Sequence, residues 1–151
     1  MSKSNTFEGE ILDLIFLNIN IPNIGDATGL RGSTAAGNIF ASFHTADPGE
    51  VGTAATNELA YTGYARQPIP RGAGGFSRSG NVISQVNNVD FPKMTAGAGG
   101  TVTHFAYVKE SSGASVILYK GPVTPSILVQ NGVTPRLEGL PAGTSTTVAE
   151  D

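Results

Sequence analysis

Short stretches of alternating apolar and polar side chains, separated by glycine and proline, constrain the fold of this chain most strongly. The 151 residues include 20 glycines and 9 prolines. An alternation with period two is typical of β-strands, because successive side chains point to opposite faces of a strand. The clearest examples are 38–44, which we predict to be half-buried, and 102–109.

Turn signals between such stretches predict about seven short strands. The other predicted strands are 64–69, 82–91, 115–120, 126–130 and 144–149. Prolines at 68 and 70 place the end of the 64–69 strand at a sheet edge, because proline cannot donate a ladder hydrogen bond. Irregular segments are predicted at 19–37, 45–62 and 71–80. The pattern favours a mainly β fold, an antiparallel β-sandwich or jelly-roll-like domain, with its core at 38–149 inside a single domain over 1–151.

The first 20 residues follow a different period and predict one short N-terminal helix over 6–18. The apolar stripe consists of Phe7, Ile11, Leu14, Ile15 and Asn18, widened by Leu12 and Phe16. Asn5 is the predicted N-cap, and Glu8 is its predicted capping-box partner. The face is very apolar for a terminal helix. It packs on the chain's own sheet or docks on a partner subunit.

The charge content excludes one class of partner. Charged residues make up 14% of the chain, against roughly 25% in ordinary soluble domains. Such a surface favours partial coverage by neighbouring subunits. The net charge is −3, and the densest basic stretch holds three arginines between Arg66 and Arg78. A nucleic-acid binder normally carries a basic stripe, so we predict no nucleic-acid partner.

The chain has no cysteine, which excludes disulfides and thiolate metal sites. Its first residues lack the apolar run of a signal peptide. No apolar stretch reaches the roughly 20 residues that span a bilayer. We therefore expect a soluble protein, made in the host cytoplasm, without a membrane partner.

Residues that carry catalytic chemistry are few. The two histidines are His44, which precedes Asp47, Glu50 and Glu58 in the 45–62 segment, and the distant His104. Neither the spacing of a metal site nor a nucleophile motif is present. We predict that the histidines satisfy local hydrogen bonds and that the chain is not an enzyme and has no cofactor or metal. The glycine-rich runs 72–75 and 97–100 do not match a phosphate-binding motif.

Aromatic residues leave a binding role open. A sugar-stacking platform would use aromatic side chains on strands, although such side chains more often form the core. The candidates are Tyr61, Tyr64, Phe76, Phe91, Phe105, Tyr107 and Tyr119.

Four segments together resemble a known group of proteins. They are Phe-His-Thr-Ala-Asp-Pro-Gly-Glu at 43–50 with Asn-Glu-Leu at 57–59, and Tyr-Ala-Arg-Gln at 64–67. The others are Val-Asp-Phe-Pro at 89–92 leading into 101–108, and 127–136. In this order they resemble small virion proteins of tailed phages and prophages, of the capsid-decoration, head-fibre and tail-fibre types. The resemblance covers 38–149 and implies a virion structural protein without catalytic residues.

The resemblance leads us to expect a capsid decoration or cement protein that stabilises the head shell. Its partners would be the major capsid protein, copies of itself in a dimer or trimer, and other virion proteins. One alternative is a tail or fibre component, as an adaptor or tip. Another is a carbohydrate-binding adhesin module.

The residues of greatest interest lie on the helix and around the 45–62 segment. We predict that Arg66 pairs with Asp47 or Glu50 and pins that segment, because a bidentate arginine–carboxylate bond holds a loop in one shape. His104 is predicted to hydrogen-bond the same segment. The candidates for interface or structural roles are Phe7, Ile11, Leu14, Ile15, His44, Asp47, Glu50, Arg66 and His104.

Overall fold

The computed structural model describes residues 2–139 and the backbone of 147–149. The chain forms two compact units, each assembled from segments that are distant in sequence. The first unit comprises Met1–Asn38, Pro70–Asn88 and Glu138–Asp151, and the second comprises Ile39–Ile69 and Val89–Leu137. The single domain predicted over 1–151 stays a prediction.

The secondary structure is mainly β, with antiparallel sheets and one short N-terminal helix, which confirms the predicted fold class. Within the described residues the strands form sheets of four, three and two members. The strands are β1 Asn38–His44, β2 Gln67–Pro70, β3 Phe76–Ser79, β4 Val82–Gln85, β5 Val89–Asp90, β6 Gly100–Val108, β7 Ile117–Val129, β8 Arg136–Leu137 and β9 Thr147–Ala149.

The N-terminal helix α1 spans Asn5–Leu12. Its N-cap is Ser4, whose Oγ accepts a hydrogen bond from the Phe7 amide at 3.3 Å. The predicted cap at Asn5 was therefore wrong by one residue. Glu8 lies one residue beyond the position from which a capping-box side chain reaches back, and its carboxylate accepts a bond from Asn81 instead.

A π-helical segment, Asp13–Leu17, continues α1 and ends at Asn18, which has a φ of 61°. Because π-helical bonding skips five residues instead of four, it turns the following side chains away from the α-helical stripe. The fully buried side of the two helical segments consists of Glu8, Gly9, Leu12 and Phe16. The predicted stripe of Phe7, Ile11, Leu14 and Ile15 is only half-buried, so the buried face was predicted wrongly.

The three-stranded sheet belongs to the first unit and has the order β3-β4-β9. Its strand β3 lies in the glycine-rich stretch 71–80, where an irregular loop was predicted. Phe76 explains the difference, because its ring packs edge-on against Phe16 at 4.8 Å and is almost fully buried. The predicted strand 144–149 is present over Thr147–Ala149, and 144–146 lies outside the described residues.

The four-stranded sheet belongs to the second unit and has the order β2-β1-β6-β7. The inner strand β1 pairs with β6 in a register that places Phe43 opposite Phe105 and His44 opposite His104. The prediction that β1 is half-buried was wrong, since Ser42 and His44 on its second face are also buried. The connection 45–62 covers that face, where Ala54 packs among residues of β6.

The outer strands of this sheet are β2 and β7. The edge position predicted for the proline-containing 64–69 segment is confirmed by β2. One 13-residue strand, β7, replaces the two strands predicted at 115–120 and 126–130. Its prolines at 122 and 125 are tolerated because an edge strand needs no donors on its outer side.

The stretch 82–91 was predicted as one strand and is two. The first part is β4 of the three-stranded sheet, whereas the second part is β5, which pairs with β8. The next residue, Phe91, stacks on Phe43 of β1 with ring centroids 4.1 Å apart. This contact places the β5–β8 pair in the core of the second unit.

Candidate functional site

The connection 45–62, which joins β1 to the segment before β2, is held by one buried arginine. Arg66 donates from Nε to Glu58 Oε1 at 2.7 Å and from Nη2 to Glu58 Oε2 at 2.8 Å. Arg66 therefore binds a carboxylate of this connection, as predicted, but the partners predicted for it, Asp47 and Glu50, were wrong. Glu58 is favoured because it bridges directly to His44 at the end of β1, which fixes its side chain beside Arg66.

The same guanidinium also fastens a second loop, between β6 and β7. Its Nη1 donates to the carbonyl of Glu110 at 3.1 Å, and Nη2 donates to the carbonyl of Gly113 at 2.7 Å. The hydrogen bonds from Glu58 raise the pKa of Arg66. Arg66 is thus a permanent charge that ties two loops to the sheet.

Tyr64 completes the set of partners around Glu58. Its hydroxyl donates to Glu58 Oε1 at 3.2 Å and accepts from the Phe43 amide at 3.0 Å. Burial raises the pKa of the Tyr64 phenol well above its usual value. The phenol therefore keeps its proton and acts as a fixed hydrogen-bond donor.

His44 is fully buried on β1 and bonds at both ring nitrogens. The Thr56 carbonyl, 2.9 Å from Nδ1, can only accept, so Nδ1 carries the proton and Nε2 accepts from Ser42 Oγ at 2.9 Å. Burial lowers the pKa of His44, although the Thr56 carbonyl acts in the opposite direction. The histidine therefore satisfies local hydrogen bonds, as predicted, and holds the middle of the connection against β1.

His104 lies opposite His44 on β6 but does not play the predicted role. Its Nδ1 is 3.0 Å from Oγ1 of the neighbouring Thr103. The bond predicted from His104 to the 45–62 segment was wrong, because the face of β6 at this point is reached by charged groups at the outer end of the connection only through space.

The outer end of the connection carries a surface ion pair. Lys120 of β7 lies 3.0 Å from Asp47 Oδ1 and 3.1 Å from Glu50 Oε1. The amide of Gly49 bonds to Asp47 at 2.8 Å, and this bond, followed by the contact with Lys120, lowers the pKa of Asp47. These groups neutralise one another at the surface, where ion pairs contribute little to stability.

A cleft of about 420 Å³ lies between this end of the connection and the start of β7. Its lining on one side includes Gly49, Glu50 and Thr53 and on the other side the stretch 116–120. Within residues 2–139 and 147–149, no group of three or more histidine, aspartate or glutamate side chains is arranged to hold a metal ion. The cleft therefore offers backbone, apolar side chains and a neutralised ion pair.

The aromatic residues that suggested a sugar platform lie mostly inside the protein. Phe76, Phe91, Phe105 and Tyr107 are buried, and Tyr64 stacks towards Phe91 at 6.0 Å. A sugar ring needs an exposed aromatic face, which these side chains do not present.

Arg71 of the first unit is a structural residue that the sequence did not single out. Its Nε donates to the Ile15 carbonyl and its Nη2 to the Leu14 carbonyl, both at 2.6 Å. Its Nη1 donates to the Ala36 carbonyl at 3.1 Å. A signal was available, because the helical segments have no basic residue in their last turn and a helix leaves its final carbonyls without partners.

A third arginine, Arg78, fastens the helix to β3. Its Nε lies 2.5 Å from Asp13 Oδ1, and its guanidinium passes so close to Gly9 that an added Cβ would stand 2.8 Å from Nη1. This close approach accounts for a glycine in the middle of a helix. The side chains proposed as a contact face, Phe7, Ile11, Leu14 and Ile15, are half-buried within this unit.

No helix in the described part of the chain combines the length and the apolar character that a membrane crossing requires.

Comparison with known proteins identifies the group. A family model described as "Podophage GP4 fiber I protein gp80" matches residues 2–139. No curated protein matches the chain. The chain belongs to this podophage fibre family and is a phage structural protein, so the resemblance to virion proteins is confirmed at that level. That the segments at 43–50 and 64–67 are its signature stays a prediction.

Proposed function

We propose that this member of the podophage fibre family is a non-enzymatic, rigid building block of a virion fibre, acting as an adaptor or tip. The family match over 2–139 carries the proposal. It also changes the order of the two virion roles expected from the sequence, since the description of the family names a fibre and not a capsid decoration.

The geometry of the 45–62 connection supports a passive role in binding. Arg66, Glu58 and His44 hold this connection in one conformation through at least four hydrogen bonds to its neighbours. A surface that is already ordered loses little conformational entropy when a partner binds. The ionisable groups in this region are paired with one another, as a structural site requires.

Capsid decoration is the second candidate. The observation that favours it is an exposed apolar patch on the first unit, where Ile19, Ile24 and Leu30 are 50%, 38% and 44% exposed. Exposed apolar patches mark protein contacts, and the major capsid protein would be the partner. Copies of the chain itself are a further expected partner in both roles.

Localisation on the particle separates the two candidates. Purified phage particles would be labelled with antibody against the chain, and its copy number would be measured by quantitative mass spectrometry relative to the major capsid protein. We expect the label on fibres and a copy number that matches the number of fibres. Label spread over the head, with a copy number proportional to the shell subunits, would replace the fibre role with decoration.

A further inference from the structure

The outer edge of β7 is an unpaired strand edge in the second unit. In the sheet order β2-β1-β6-β7 this strand comes last, so within the described residues only its inner side is paired, with β6. At 13 residues it is also the longest of the described strands. An edge of this length exposes backbone donors and acceptors that pair readily with another extended chain.

Two prolines restrict where such pairing occurs. Pro122 and Pro125 have no backbone N–H and interrupt any ladder on the second half of β7. The stretch 116–121 contains no proline and has the sequence Val-Ile-Leu-Tyr-Lys-Gly. Proline thus blocks one half of the edge, and the 116–121 half is left as the pairing site.

The surroundings of this stretch favour an apolar, uncharged occupant. Val116 is 58% exposed, and Val51 at the tip of the connection is 100% exposed. Both flank the cleft of about 420 Å³ that runs beside the strand, where Val116 is part of the lining. The one cation of the stretch, Lys120, is already neutralised by Asp47 and Glu50.

We propose that the occupant is the same 116–121 stretch of a second copy of this chain, paired antiparallel. Identical strands that pair antiparallel along one edge are related by a two-fold axis, so a single surface suffices for a closed dimer. Charge complementarity agrees, because an apolar strand with a neutralised lysine meets an identical strand without leaving a charge unpaired. Six residues form a small interface, which predicts a weak, micromolar dimer.

The inference rests on the proposed structural role, but its test uses the full chain in solution, without particles. Sedimentation velocity at concentrations up to about 100 µM spans the range in which a small interface dissociates. We expect the wild-type chain to form a dimer. Val116→Lys, which places a charge on the edge as natural edge strands do, is expected to weaken dimerisation by at least about tenfold.

The matched control is Leu128→Lys on the same strand beyond the prolines, where the side chain is 60% exposed. It should leave dimerisation unchanged, and thermal melting should show both variants as folded as the wild type. A wild-type monomer at all concentrations would overturn the pairing without affecting the fibre role. A dimer that Val116→Lys does not weaken, or that both variants weaken equally, would also overturn it.

Discussion

Arg66 and Glu58 meet through two parallel hydrogen bonds, of 2.7 Å from Nε to Oε1 and 2.8 Å from Nη2 to Oε2. The Arg66 side chain is 2% exposed and the Glu58 side chain 18%. The pair lies eight residues apart in sequence, and between its members the chain passes from the end of the long connection to the strand edge. The pair therefore holds the connection against the four-stranded sheet.

Arg66→Met should destabilise the protein by about 3 kcal/mol, because removing one partner of a buried pair leaves the other charge uncompensated. Equilibrium unfolding in urea would measure this loss. Arg136→Met is the control, since Arg136 pairs bidentately with Asp90 at the surface with about half of each side chain exposed. Its effect should be too small to resolve. Equal effects of the two substitutions would show that the buried pair does not hold the fold.

The burial of His44 predicts a specific loss of stability in mild acid. Burial lowers its pKa below the ordinary value of 6.5, so below pH 6.5 the unfolded chain takes up a proton that the folded chain does not. Stability is therefore full above pH 6.5 and falls as the pH decreases towards the folded-state pKa, by up to about 1.4 kcal/mol per pH unit. Urea unfolding between pH 7.5 and pH 5 would measure it.

His44→Gln should flatten this pH dependence, whereas His104→Gln should retain it. The carboxylates Asp47 and Asp90, whose pKa values are lowered by their hydrogen bonds, release their contributions only in stronger acid, where carboxylates protonate. A slope that persists in His44→Gln would mean that another group causes it.

The clamp that Arg71 forms on the helical carbonyls should be measurable by hydrogen exchange. Arg71→Met leaves the carbonyls of Leu14 and Ile15 without their donor, a loss of about 2 kcal/mol for hydrogen bonds to a charged group. We expect faster exchange at the amides of 9–18, with exchange in β6 unchanged. Arg31→Met, at an exposed position, is the control. Uniformly faster exchange in both units would instead indicate global destabilisation.

Two glycines with similar backbone conformations should respond very differently to alanine. Gly99 has a φ of +63°, and an added Cβ would stand 2.2 Å from the Val129 carbonyl oxygen. Gly49 has a φ of +75° and open space around the added atom. Gly49→Ala should therefore lose about 1 kcal/mol, the cost of left-handed backbone in an alanine, and Gly99→Ala several times more. Thermal melting would rank them, and similar melting temperatures would contradict the steric explanation.

The strands with clear alternation were predictable from the sequence, because the alternation of side chains is a local property of extended backbone. Thus 38–44 coincides with β1, and 102–109 lies almost entirely within β6. Proline positions likewise identified an edge strand correctly, since the missing N–H is a property of the residue itself. The shortage of catalytic residue types was equally visible in the composition.

Partners distant along the chain were decided by the tertiary structure. The sequence showed that Arg66 needed a carboxylate, but the path of the connection selected Glu58 from three acidic residues. Likewise, Arg71 reaches the carbonyl of Ile15 from 56 positions away, and the cover over Ser42 and His44 comes from a loop. A periodic pattern reports which side chains share a face. What covers that face depends on the packing of distant segments, which no local pattern contains.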